Sequence, residues 1–348
     1  MAYTTINKSS DHFSATTYTG NGSASTALTT GTFQPDWVWF KNRGTTEAHL
    51  LMDAVRGATK YIQTASTAVE GTSSDKISAF TSTGVTLGSG AETNENSQPL
   101  VCWSWKANGA GSANTDGSIN TTATSANTTA GFSIVKYTGT GSNATIGHGL
   151  GVAPKMIIVK NLTDARSWGV YHASLGATQG IDLDGTGAAG SASSYWNDTA
   201  PTTSVFSIGT ANNTGAAQTY VAYCFAEIKG FSKFGMYKGN NNADGPFIYC
   251  GFNPAFIMIK RTNSSASWVI IDNQRSNPFN PQDRLLFPNT DAVEDGAGET
   301  YNWDFYGNGV KLRTTSGSYG NGSGDSYIYM AFAEKPLVSS NNVPTTAG

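Results

Sequence analysis

YTGTGSNATIGHGLGVAPKMIIVK, residues 137–160, joins a glycine-rich run holding a histidine to a short apolar run led by a proline. Its skeleton of Tyr137, Pro154 and Lys160 has intervals of 17 and 6 residues, and the same intervals separate Tyr18, Pro35 and Lys41, and Tyr237, Pro254 and Lys260. The surroundings match as well. YTGNGS, YTGTGS and YKGNNN open the three copies, and FQPDWVWFKNR, VAPKMIIVKNL and FNPAFIMIKRT follow. A glycine loop built for chemistry occurs once in a chain, whereas a recurring one belongs to a repeated fold.

The correspondence continues outward from the lysines. Twelve residues on stand Asp53, His172 and Asp272, preceded by His49, Trp168 and Trp268, and each unit closes on LVCWSWKAN, YVAYCFAEI or YIYMAFAEK, which align Trp105, Phe225 and Phe332. WVWF, MIIV and FIMI are short β-branched or aromatic runs bounded by proline and polar residues, the pattern of buried strands. Turn dipeptides punctuate the chain and no amphipathic run of helical length appears. A proline at the first residue of a strand costs no ladder hydrogen bond. These features predict an all-β chain of three tandem related β-sandwich or jelly-roll-like modules over 1–107, 132–230 and 231–338. Residues 108–131, rich in Gly, Ser, Thr and Asn, read as a flexible or loosely extended linker that buries too little to fold alone, with 339–348 a C-terminal tail. The near-absence of a linker between the second and third modules predicts that those two pack as a pair.

Composition narrows the function. Charged residues make up 13% of the chain, with a net charge of −3, which leaves no basic footprint for nucleic acid. No apolar run suits membrane insertion, and MAYTTINKSS lacks the features of a secretory signal, so synthesis in a cytoplasm is expected. Cys102, Cys224 and Cys250 are widely spaced and read as small apolar core residues.

Catalytic motifs are not found. GHGLG leads into a proline and a strand, unlike a phosphate loop feeding a helix, and His148 reads as a polar turn residue. There is no HExxH, no nucleophile elbow and no acidic pair repeated within one strand of a module. Asp182 and Asp184 in IDLDGTG resemble the start of a calcium loop but lack its later acidic ligands, so neither metal nor cofactor is expected. Lys41, Lys160 and Lys260 could pair with Asp53 and Asp272, although His172 breaks that series; a structural role is favoured. Sugar-binding surfaces use exposed aromatic rings flanked by polar groups. Tyr195 and Trp196 in SSYWNDT, and Tyr301 and Trp303 in ETYNWDF, lie in polar segments and are the candidates, with packing at the core edge the competing reading.

Over nearly its whole length the chain resembles a family of tandem-repeat β proteins encoded by marine tailed bacteriophages. MAYTTI, DAVRGATKYI, NTDGSI, NTTAGFSIVKYTGTGSNATIGHGLGVAPKMIIVKN, YWNDTAP, FSKFGMYKGNNNADGPFIYCGFNPAFIMIKRT and YIYMAFAEKPLVSSNNVPTTAG carry the likeness. The resemblance implies a non-enzymatic virion structural protein located on the phage particle, a tail-fibre, spike or receptor-binding component. Capsid decoration and glycan depolymerisation are the alternatives. Its implied partners are other tail or capsid proteins, and a host-surface glycan or outer-membrane receptor. A homo-oligomer is expected, a trimer by analogy.

Overall fold

The computed structural model describes residues 3–276, 279–296, 301–338, 341, 343 and 344, so most of the tail 339–348 lies outside the described residues. The chain is all-β: antiparallel sheets carry it, and the helices are single turns such as Ala91–Asn94 and Ser193–Trp196. None of them is long and apolar enough to cross a membrane.

Three larger sheets share one strand order. In the first, Phe13–Thr19 pairs with Pro99–Trp105, which pairs with Trp37–Asn42 and then Leu50–Asp53. In the second the same places are taken by Phe132–Thr138, Thr219–Phe225, Met156–Asn161 and Gly169–His172, and in the third by Ser232–Lys238, Ser326–Pro336, Phe252–Arg261 and Val269–Asp272. Register agrees too: Trp37 faces Trp105, Met156 faces Phe225 and Phe256 faces Phe332. Each larger sheet is accompanied by a smaller one. These are Thr26–Thr29 with Gly84–Leu87 and Ile77–Thr81, Ala144–Gly147 with Val205–Ile208, and Phe247–Tyr249 with Gly309–Leu312 and Trp303–Tyr306.

The unbroken apolar runs are explained by cover on both faces. In Trp37–Asn42, Val38 and Phe40 pack with Ile77, Val85 and Leu87 of the small sheet, whereas Trp37 and Trp39 point the other way into a core shared by all three larger sheets. Side chains alternate along a strand, so a strand covered on both sides reads as continuously apolar. Met156 and Ile158 enter the shared core in the same way, while Ile157 and Val159 enter their own sandwich. Where the larger sheets meet, the rings of Trp105 and Phe332 lie 5.5 Å apart, Phe225 and Phe332 6.0 Å, and Trp37 and Tyr223 4.7 Å.

This geometry extends one expectation and corrects another. The second and third sheets pack on each other, and the first packs against both of them. Residues 108–131 are no loose linker. Ala123–Asn127 adds a strand to the second larger sheet beside Phe132–Thr138, and Ile119 bridges to Ile146. A segment poor in apolar side chains needs no core of its own when sheet edges satisfy its backbone.

The lysines fasten the seams between sheets. Lys41 donates to the carbonyls of Glu47 and, across a seam, Asp291; Lys160 donates to Arg166 and, across a seam, Thr67; Lys260 donates to Ala266 and, across a seam, Thr186. The first sheet pair thus reaches the third, the second reaches the first and the third reaches the second, which closes a ring. The considered pairing of these lysines with Asp53 and Asp272 is not what forms. Those carboxylates hold Arg56 and Arg275, each at 2.6 Å.

Burial lowers all three lysine ammonium groups from the ordinary value to about 8. An unfolded chain keeps these protons up to about pH 10.4, so between about 8 and that value it binds more protons than the folded chain, and stability contributed by each site rises with pH. For Lys260→Met, the stability gap between wild type and variant is therefore expected to move in favour of wild type as pH rises through this window. The upper limit is about 3 kcal/mol. Denaturant midpoints measured at pH 7.5, 8.5 and 9.5 check it, because ionisation of tyrosines and cysteines is common to both chains and cancels in the difference. A gap independent of pH contradicts it.

Candidate functional site

The four aromatic residues expected at the surface do not form one. Trp196 is 1% exposed and Trp303 fully buried. Trp196 ends the helical turn Ser193–Trp196, which lays the indole against Tyr171 with centroids 5.9 Å apart. Trp303 starts the strand Trp303–Tyr306, whose alternation turns Trp303 and Phe305 inward and Asp304 and Tyr306 outward. Tyr195 and Tyr301 are half-buried, the first with its hydroxyl 3.4 Å from Asp182 Oδ1, the second with its ring 4.3 Å from that of Tyr319.

The outward face of the same small sheet carries what the polar segments suggested. Phe247, Tyr249 and Tyr306 are 42%, 55% and 37% exposed. Phe247 lies opposite Lys311, which lies opposite Asp304; Tyr249 lies opposite Gly309, which lies opposite Tyr306. Two rows therefore run across the sheet, one of aromatic and charged groups, one of two tyrosines flanking a glycine. A Cβ on Gly309 would stand 2.2 Å from the Ile248 carbonyl oxygen and 2.9 Å from the Phe247 ring, so only glycine fits there and the Phe247 ring lies close over it. The rings of Phe247 and Tyr306 lie 6.2 Å apart at 52°, walling a cavity of about 620 Å³ rimmed by Asp244, Asn308, Lys311 and Arg313.

Polar groups at the rim are held in pairs. Lys311 binds Asp244 at 2.7 Å, and Arg313 Nε binds Asp304 at 2.7 Å while its other arm reaches the Tyr306 hydroxyl. The hydrogen bond from Lys311 lowers the Asp244 carboxyl below its ordinary value, and that to Asp304 raises Arg313. Cations and anions balance, leaving a neutral rim with donors and acceptors beside exposed aromatic faces. Such a surface can stack the apolar face of a pyranose and bind its hydroxyls.

A second cavity, of about 350 Å³, is lined by Tyr3, Glu227, Lys229, Lys233 and Tyr249, the last of which lies in the same row as Tyr306 of the first cavity, across Gly309. The Tyr3 hydroxyl donates to the Gly251 carbonyl at 2.7 Å, and burial, with the Tyr249 hydroxyl beside it, pushes Tyr3 up to about 12.

Other sequence candidates are structural. His148 is buried, accepting from the Leu150 amide at Nδ1 with Nε2 3.2 Å from the Thr202 carbonyl oxygen; it pins its turn and faces no solvent. Burial, with Asp184 beside it, pushes Asp182 up to about 6, while Asp184 accepts the Trp168 amide at 2.8 Å. Among the described residues no group of three His, Cys, Asp or Glu side chains could hold a metal ion. The three cysteines are free and buried, and burial raises each thiol.

The signal that identifies Phe247, Tyr249 and Tyr306 is strict alternation in FIY and WDFY. Reading segment polarity instead selected Trp303, one step out of phase. Residues 8–336 match the family described as Domain of unknown function (DUF7483), and the chain belongs to it. No curated protein and no solved structure matches the chain.

Proposed function

We propose that this DUF7483 chain is a non-enzymatic bacteriophage virion structural protein, a tail-fibre, spike or receptor-binding component whose small-sheet face at Phe247, Tyr249 and Tyr306 holds a host-surface glycan. The observation that carries the binding role is the grouping of three exposed aromatic residues on one face around Gly309, with balanced charged pairs at the rim. The virion setting rests on the sequence resemblance, and tandem β modules multiplied around a shared core suit a particle component. We take the three sheet pairs, with their common strand order, as those modules.

Tyr306→Ala and Phe247→Ala are each expected to weaken retention on host-surface polysaccharide about fivefold, since a ring contact of this kind contributes on the order of 1 kcal/mol. Both side chains are exposed, so the fold should survive and unchanged denaturation midpoints check that. Full retention by both variants sinks the glycan site. Antibody labelling of virions confined to the capsid would favour a decoration protein over a tail component, and release of reducing ends from the polysaccharide would overturn the non-enzymatic assignment.

A further inference from the structure

Two cavities, each small for a polymer, open on neighbouring parts of one sheet. Phe247 and Tyr306 wall the first; Tyr3, Lys229, Lys233 and Tyr249 line the second, and Tyr249 shares a row with Tyr306 across Gly309. Their floors are tied together, because the amides of Cys250 and Gly251, which floor the second, both donate at 3.0 Å to the carbonyl of Asn308, which rims the first. A ligand lying along the row from Tyr306 to Tyr249 would run from the first cavity toward the second.

Their electrostatics differ. At the first cavity Lys311 and Arg313 are met by Asp244 and Asp304. At the second, two lysines face one glutamate. Lys233 binds Glu227 at 2.7 Å, whereas the exposed Lys229 ammonium lies over the Tyr3 ring at 4.5 Å and pairs with no carboxylate among the described residues. One end suits a neutral sugar and the other an acidic one.

Building on the glycan reading above, we propose that the two cavities form one groove for a linear acidic polysaccharide, with a neutral sugar stacked at Phe247 and Tyr306 and the carboxylate of a neighbouring sugar engaged by Lys229. The chain of such a ligand passes over Tyr249. Attraction between exposed charges is screened by salt, so the acidic contribution fades as ionic strength rises, whereas stacking does not.

The test uses the full chain and two probes of equal length: a hyaluronan tetrasaccharide, which alternates N-acetylglucosamine with glucuronate, and neutral chitotetraose. The hyaluronan probe is expected to bind about tenfold more tightly at low salt. That advantage should vanish at 0.5 M salt and in Lys229→Ala, which should leave chitotetraose binding unchanged. Tyr306→Ala should weaken both probes. Equal affinities for the two probes, or an acidic advantage that survives Lys229→Ala, overturns the groove while leaving the stacking site intact. Binding of neither probe by the wild type overturns the stacking site and the groove together.

Discussion

Arg275→Ala is expected to lower folding stability by about 3–5 kcal/mol, the cost of stranding one partner of a buried ion pair. Arg275 and Asp272 are both completely buried; the guanidinium also reaches Glu294 at 2.7 Å and the Ile270 carbonyl at 2.9 Å. The pair sits on a seam. Asp272 accepts from Trp103 Nε1 of the first sheet at 2.8 Å, and Glu294 is shared with Arg43 at 2.7 Å. Without Arg275, Asp272 is left with only neutral donors, Trp103 Nε1 and two backbone amides, and the lost interactions cross from one sheet pair to another. Urea midpoints at pH 7 test this, and a loss below 1 kcal/mol contradicts the assignment. The double variant Arg275→Ala with Asp272→Ala should cost less than the sum of the single ones, because neither charge is then left alone.

Trp105→Ala should cost about 3–5 kcal/mol through the cavity it leaves in the shared core. Trp105 is 1% exposed, with its ring 4.4 Å from Trp37, 4.9 Å from Phe13 and 5.5 Å from Phe332. Because Phe332 belongs to the third sheet, the loss is not confined to the first. Wild type and variant should each unfold in a single transition, with fluorescence and far-ultraviolet circular dichroism coincident. Two separated transitions, one sensitive to the substitution and one indifferent to it, would show that the first sheet pair melts by itself.

Much of the architecture was legible in the spacing of Tyr, Pro and Lys and in runs such as MIIV, since strand period and turn residues are local properties. The Asp-to-Arg spacing in DAVR and DNQR was equally visible and marks the ion pairs at Asp53 and Asp272. At the corresponding place the second sheet has His172 and Leu175. Asp and Arg are absent together there, as is required when either alone would be a buried unpaired charge. His172 instead lies 3.1 Å from the Tyr329 carbonyl oxygen across the next seam, and burial holds its imidazole down to about 4. The candidate site was only half legible. WDFY pointed to the right strand, but which side of it faces solvent depends on the larger sheet packed beneath.

By itself the sequence determined the β class, the strands and their turns, because alternation, proline and glycine act within a few residues. Tertiary structure alone decided that the lysines clasp neighbouring sheets, that residues 108–131 serve as sheet edge, and that Phe247, Tyr249 and Tyr306 stand exposed while Trp196 and Trp303 are interior. The reason is physical: burial and cross-seam hydrogen bonds are properties of surfaces brought together from distant parts of the chain, and no local spacing encodes which surfaces those will be.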